Sequence, residues 1–132
     1  MPVLSIHLRP DQEQVAAYRK GYMAVPAVPG AGKTTVLAYL AADLIAGGMH
    51  DPGRILIVTY TNSAVGNFRS RIGDFLDQRG YPRSQGYEVR TIHSLASHIV
   101  RERPDAIGWS DNFRVADELQ VTSILETLTR RW

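Results

Sequence analysis

Residues 27–34 read Ala27-Val28-Pro29-Gly30-Ala31-Gly32-Lys33-Thr34 and stand between an apolar run and a helical pattern. That setting constrains the fold more than any other stretch of the chain. The run Tyr22-Met23-Ala24-Val25 predicts a short strand near residues 22–26 that carries the chain to the edge of a sheet. Gly30 and Gly32 let the backbone curl so that successive N–H groups point inward, a concavity suited to phosphate oxygens. A helix predicted from about Gly32 to Ile45 adds its unpaired N–H groups and its dipole. Lys33 is then placed to reach the β- and γ-phosphates of a nucleotide, and the Thr34 hydroxyl to ligate Mg²⁺. The alternative is a chance Gly/Pro-rich turn before a helix. The Gly-Lys-Thr offset, with strand and helix on either side, favours a nucleoside triphosphate site.

The rest of the chain alternates in the same way. Pro10 and Asp11 suit a helical first turn, and Val15, Ala16 and Tyr18 give residues 10–20 an apolar side. Gly47-Gly48 stops the helix that follows the loop, and Pro52-Gly53 makes a turn. Ile55-Leu56-Ile57-Val58 is a continuous apolar run, expected of a parallel strand covered on both faces. Val65, Phe68, Ile72, Phe75 and Leu76 recur at helical spacing across residues 62–78. Residues 80–86 read as a loop, Tyr87 to Ile92 as a further strand, and Ser94 to about Glu102 as a helix. Pro104 to Asp111 is irregular, and an amphipathic helix runs from about Asp117 to Trp132. Strands alternating with helices predict an α/β fold with a parallel sheet flanked by helices.

Composition narrows the function classes. In 132 residues there is no cysteine, which excludes disulfides and thiolate metal sites and fits the cytoplasm. The four histidines form no ligand set, since His93 and His98 stand five apart with no cysteine or carboxylate cluster beside them. No apolar run approaches the roughly 20 residues that span a bilayer, so no membrane partner is expected. Thirteen of the fifteen basic residues are arginine, and eight of these fall within residues 54–103 against Asp74, Asp77, Glu88 and Glu102. Arginine suits planar, bidentate phosphate contacts, although a solvated basic face explains the same excess.

Two further segments share one design, a strand whose carboxyl end carries small hydroxyl or amide residues and then opens a helix. They are Thr59-Tyr60-Thr61-Asn62-Ser63-Ala64 and Thr91-Ile92-His93-Ser94-Leu95. Ligands of open α/β sheets bind at the carboxyl ends of strands. Their hydroxyls, amides and helix N-termini are natural partners for backbone phosphates, and Tyr60 offers a ring for a base to stack on. Equally, Thr61 or Asn62 and Ser94 could be plain helix caps, and Tyr60 a core residue.

Taken in order, these segments resemble the N-terminal part of a UvrD/Rep/PcrA-type superfamily 1 DNA helicase. Leu8-Arg9-Pro10-Asp11-Gln12-Glu13-Gln14 resembles the family's Q motif, which makes Gln12 the adenine reader. Val28 to Thr35 resembles its Walker A loop, placing Pro29, Gly30, Ala31, Gly32, Lys33, Thr34 and Thr35 at the nucleotide, with Lys33 and Thr34 as catalytic residues. Ile55 to Ala64 resembles motif Ia, and Thr91-Ile92-His93-Ser94-Leu95 the Thr-Phe-His-Ser element after it. The resemblance puts Thr59, Tyr60, Thr61, Asn62, Thr91, His93 and Ser94 on single-stranded DNA. Phe113 to Glu118 resembles the approach to an inserted helical subdomain. The chain departs from the family's usual residues at Thr35, where arginine is common, at Tyr60 and Ile92, and at Ser63, where lysine is frequent.

The resemblance implies a RecA-like P-loop nucleoside triphosphatase fold, incomplete as an N-terminal fragment. Residues 1–112 would form part of the ATP-binding domain and residues 113–132 a helix entering the helical subdomain. It further implies ATP and Mg²⁺ as cofactors, and single-stranded DNA and the remaining helicase domains as partners. Family members also use an Asp-Glu pair after a later strand and arginines from a second domain. The one Asp-Glu pair here, Asp117-Glu118, opens a helical pattern and reads as acidic helix-start residues. The chain by itself is therefore expected to bind Mg²⁺-ATP weakly and neither to hydrolyse it appreciably nor to unwind DNA. It would be a truncated piece or a shortened gene product. A nucleotide- or DNA-binding adaptor and a small P-loop kinase are the alternative readings.

Overall fold

The computed structural model describes residues 6–49 and 53–130. The chain divides into two compact units, Met1–Leu95 and Ala96–Trp132. The first holds α1 (Pro10–Ala16), α2 (Lys33–Ala46), β1 (Ile55–Thr59), α3 (Asn62–Gln78), β2 (Tyr87–Thr91) and the start of α4 (Ile92–Glu102). The second holds a 3₁₀ turn (Pro104–Ile107) and α5 (Glu118–Thr129).

The β-branched run Ile55, Ile57, Val58 and Thr59 forms β1, which pairs in parallel with β2 in the register Ile55↔Tyr87 to Thr59↔Thr91. A parallel pair needs a crossover, and α3 supplies it. Beneath the pair, α2 and α3 pack side by side. Ala38, Ala41, Ala42 and Ile45 of α2 meet Ile72, Phe75 and Leu76 of α3, with Val89 of β2 completing the cluster. Alanines on the α2 side let the two backbones approach closely. The seam keeps one spacing: Arg71 Nη1 donates to Thr35 Oγ1 at 2.9 Å, the Tyr39 and Phe75 rings meet edge to face at 5.6 Å, and Arg79 lies 3.9 Å from Asp43. Each pair is separated by 36 residues, so the helices run in the same direction. At its lower end the Arg79 guanidinium lies over the Tyr39 ring at 4.7 Å, and the Tyr81 hydroxyl donates to the Ala46 carbonyl at 3.1 Å.

One glycine gives a side chain room to lie against α3. Arg83 lies across α3 at Gly73, where an added Cβ would meet the guanidinium at 3.2–3.3 Å. From there Arg83 reaches Asp74 at 2.7 Å and Asp77 at 3.7 Å. The neighbouring Tyr87 hydroxyl donates to the Arg83 carbonyl at 2.9 Å, and burial pushes this phenol up, against the pull of Arg69 and Arg83.

Three sequence expectations are corrected. The strand near residues 22–26 does not form: among the described residues the sheet has two strands, β1 and β2. Tyr22 is fully exposed, and Pro26 has no N–H to give a ladder. Covering of β1 on both faces also fails. Ile55 and Ile57 pack on the helix seam, whereas Leu56 and Val58, on the alternate face, are 48% and 42% exposed. Among the described residues helices therefore cover one face of the sheet. Finally, the first helix stops at Ala16 rather than Lys20. Arg19 Nη1 takes the carbonyls of Ala16 at 2.9 Å and Tyr18 at 2.7 Å, and the Tyr18 hydroxyl donates to the Gly21 carbonyl at 2.8 Å, which turns the chain away. Pro52 of the expected Pro52-Gly53 turn lies outside the described residues.

In the second unit, Trp109 and Phe113 pack at 5.1 Å between centroids, with the Arg101 guanidinium 5.1 Å from the Phe113 ring. Arg103 grips Asp105 through two bonds of 3.0 and 2.9 Å, and those bonds hold the Asp105 carboxyl below its usual range. Asp117 accepts from the Gln120 N–H at 2.8 Å while Gln120 Oε1 accepts from the Asp117 N–H at 3.1 Å. This reciprocal capping box opens α5 and matches the reading of Asp117-Glu118 as helix-start acids.

Candidate nucleotide site and strand-end rim

The Pro29-Gly30 turn leads into the loop with the Ala31 N–H donating to the Val28 carbonyl at 3.2 Å. Gly30 and Gly32 take φ of 80° and 78°, in the left-handed region that side chains strain. Gly32 is also the N-cap of α2, and its carbonyl accepts the first helical bond, from Val36 N–H at 3.0 Å. The N–H groups of Lys33, Thr34 and Thr35 thus begin a helix with no intrahelical acceptor. Lys33 is exposed, while Thr34 and Thr35 are half-buried.

α1 brings Gln12 to this loop. Its Nε2 donates to the Ala31 carbonyl at 3.1 Å, and its Oε1 accepts from the Arg9 backbone N–H at 3.0 Å. A Cβ on Gly32 would stand 3.0 Å from Gln12 Nε2, so a side chain there would press on the glutamine as well as strain the backbone. A cavity of about 310 Å³ opens beside the contact, lined by Asp11, Gln12, Val25, Ala31, Lys33 and Val36 among others. Val15, Val36 and Leu40 form the small buried cluster that fixes α1 against α2 behind it. Sequence reasoning missed two residues at this site. Arg9 Nη2 donates to the Ala31 carbonyl at 2.7 Å, and Arg71 reaches Thr35 from α3. Arg9 leaves one local signal, a long cation at an N-cap where Ser, Thr, Asp or Asn is preferred. Arg71 leaves none.

The register Thr59↔Thr91 sets the two hydroxyl-rich segments side by side at one end of the sheet. Thr59 Oγ1 donates to the Thr61 carbonyl at 3.0 Å, and Thr61 Oγ1 accepts from the Ala64 N–H at 3.2 Å as the N-cap of α3. Thr91 is 9% exposed, and its hydroxyl accepts from the Ser94 N–H at 3.1 Å. Tyr60 is 84% exposed, which excludes the core alternative. Asn62, His93 and Ser94 are exposed as well. Between the segments lies a cleft of about 330 Å³ lined by Asn62, Arg69, Arg90, Thr91 and Ser94. Arg69 Nη2 donates to the Val89 carbonyl at 3.0 Å and Arg90 pairs with Glu88, so both guanidinium groups are held at the cleft wall. Neither arginine stood out in the sequence: Arg69 lies two helical turns past Asn62, and Arg90, directly before Thr91, reads as an ordinary strand residue.

The family model for the UvrD/REP helicase N-terminal domain matches residues 8–131. The chain belongs to this family. Over 124 residues it is 32% identical to the ATP-dependent DNA helicase Rep of Escherichia coli (strain K12), covering 94% of this chain and 18% of that one. It is 34% identical over 120 residues to the ATP-dependent DNA helicase PcrA of Leuconostoc citreum, covering 91% and 15%. With the ATP-dependent DNA helicase UvrD1 of Mycobacterium leprae it shares 32% over 122 residues, 92% and 15%. The chain thus spans less than a fifth of the length of these relatives. As a UvrD/REP-type N-terminal domain it has a mixed helix–strand build with a small parallel sheet. None of its described helices is long and apolar enough to cross a membrane.

Proposed function

We propose that this UvrD/REP-type domain binds ATP at the loop 29–35 and single-stranded DNA at the rim of Tyr60, Asn62, His93 and Ser94, as part of an ATP-dependent DNA translocase. One observation carries the reading: two left-handed glycines open α2 beside the glutamine of α1, within hydrogen-bond reach of the loop. The N–H groups at the head of α2 and the Lys33 ammonium would receive the phosphates. Gln12 is held at both ends of its carboxamide, yet each end keeps capacity: one N–H and one oxygen lone pair remain. That pair complements the donor–acceptor edge of adenine. An added Cβ at Gly32 would press on Gln12 Nε2 at 3.0 Å, and this close approach of loop and glutamine supports a shared nucleotide site.

Thr34, the second residue of α2, is the oxygen donor that would hold Mg²⁺. The ion, when bound, neutralises charge on the phosphates. Thr61 and Thr91, whose hydroxyls cap α3 and α4, would shape the rim for DNA, and the exposed Tyr60, Asn62, His93 and Ser94 would touch it. A RecA-like sheet, with residues 1–112 in the ATP-binding domain and residues 113–132 entering a helical subdomain, belongs to the same proposal.

Titration of the chain with Mg²⁺-ATP, wild type against Lys33→Ala, tests it. Lys33 is exposed, so the variant should keep its circular dichroism spectrum and lose most of its affinity. Equal affinity in a folded Lys33→Ala protein would remove the nucleotide from this loop.

A further inference from the structure

The Ala31 carbonyl accepts two side-chain donors from the head of α1, Arg9 Nη2 at 2.7 Å and Gln12 Nε2 at 3.1 Å. The shorter bond is the charged one. Asp11 Oδ1 lies 3.4 Å from Arg9 Nε and holds the guanidinium from its other side, while the Arg9 backbone N–H holds Gln12 Oε1 at 3.0 Å. Arg9 therefore acts twice, on the loop and on the glutamine.

A trans peptide is planar, and its C=O and the N–H of the next residue point in opposite directions. Anchoring the Ala31 carbonyl on α1 therefore turns the Gly32 N–H away from α1. Gly32 follows with φ 78°, and Lys33 opens the helix, so the Gly32 N–H and the first N–H groups of α2 follow one another along the chain. A run of N–H groups across such a left-handed residue forms an anion-binding nest. The Ala31–Gly32 peptide could otherwise rotate about ψ of Ala31 and φ of Gly32, the second of which a glycine leaves free.

The structure assigns Arg9 as a positioning residue of the phosphate loop: its guanidinium locks the Ala31–Gly32 peptide so that the Gly32 N–H is presented to a phosphate group. The assignment rests on the nucleotide reading above and adds to it a chain-specific anchor outside the loop. Arg9 does not touch the nucleotide in this account. Its effect belongs to the phosphates and is indifferent to the base.

The test uses the full chain with two probes, inorganic tripolyphosphate and ATP, and the Gly32 amide resonance of the ligand-free protein. In Arg9→Ala the Gly32 amide should shift, and both probes should weaken by the same factor, about two- to tenfold for one lost hydrogen bond. The loss should persist at about 1 M salt, where the Debye length is about 3 Å. Arg9→Lys, with a cation that can still donate, should recover part of it. The Arg9 side chain is 55% exposed, so the melting temperature should hardly move. An unmoved Gly32 amide overturns the assignment. So does a loss confined to ATP, which would put Arg9 on the base, or one that vanishes at high salt, which would make it a mere charge. If neither probe binds wild type while the Gly32 amide still shifts in Arg9→Ala, the anchor stands and the nucleotide reading falls.

Discussion

Tyr60 is the first residue beyond β1, and it continues the uncovered face that carries Leu56 and Val58. Its replacement by alanine separates stacking from packing. The ring is 84% exposed, so about a sixth of a side chain that could bury roughly 150–250 Å² is covered. At about 25 cal/mol per Å², Tyr60→Ala should cost the fold at most about 1 kcal/mol. Loss of a stacked base costs about 1–3 kcal/mol, which weakens binding about five- to 150-fold. Fluorescence anisotropy with a labelled oligothymidylate, at one fixed low salt concentration, reads the second quantity, and a thermal melt reads the first. The slope of affinity against salt should be unchanged, because no cation has been removed. Tyr60→Phe, which keeps the stacking face, should bind like wild type. Unaltered DNA affinity in Tyr60→Ala would refute the stacking role. A melt lowered by several kcal/mol would refute the exposed placement of the ring.

Other substitutions probe the scaffold. Ile72 is fully buried between α2 and α3, so Ile72→Ala should destabilise the chain by about 2–5 kcal/mol in a urea titration; a cost below about 1 kcal/mol would mean the seam is loosely packed. Thr61→Ala removes the cap on the Ala64 N–H and should cost about 1 kcal/mol, while Thr61→Ser restores it. Equal losses in both would show that the methyl group, not the hydroxyl, matters there.

Elements with a full local pattern were legible in the sequence. The spacing of Val65, Phe68, Ile72, Phe75 and Leu76 places α3 at Asn62–Gln78, and Gly47 ends α2 where a stop signal stood. The segment at residues 22–26 was misread because apolar character is local whereas a strand needs a partner, and none adjoins it among the described residues. The coverage of β1 failed for the same reason: Leu56 and Val58 have the composition of buried residues, and burial depends on what lies opposite. At the candidate site, Gln12, Gly30, Gly32 and Lys33 were readable as a motif, while the arginines that organise it were not. Arg9 meets Ala31 across 22 residues, Arg69 meets Val89 across 20 and Arg71 meets Thr35 across 36. Contacts of that reach leave no periodicity. Thr91 shows a subtler limit, since a threonine at a strand end reads alike whether it faces solvent or, as here, turns inward to cap a helix.

The two candidate surfaces are separate and share one scaffold. The loop ends at the first turn of α2, the rim begins at the first turn of α3, and the two helices run in the same direction along one seam. Arg71, level with Thr35 near the start of α2, stands nine residues into α3. At about 1.5 Å per residue, the head of α3 therefore projects roughly 10 Å beyond the head of α2. A nucleotide on the loop and a strand on the rim would lie beside each other without competing for the same groups. What joins the two surfaces is the packed core between them. Ala38, Ala42, Ile72 and Leu76 have no exposed surface, and close-packed interiors transmit displacement rather than absorb it. Thr35 and Arg71 close that core at its upper end, so the first turn of α2 is tied to the helix that carries the rim.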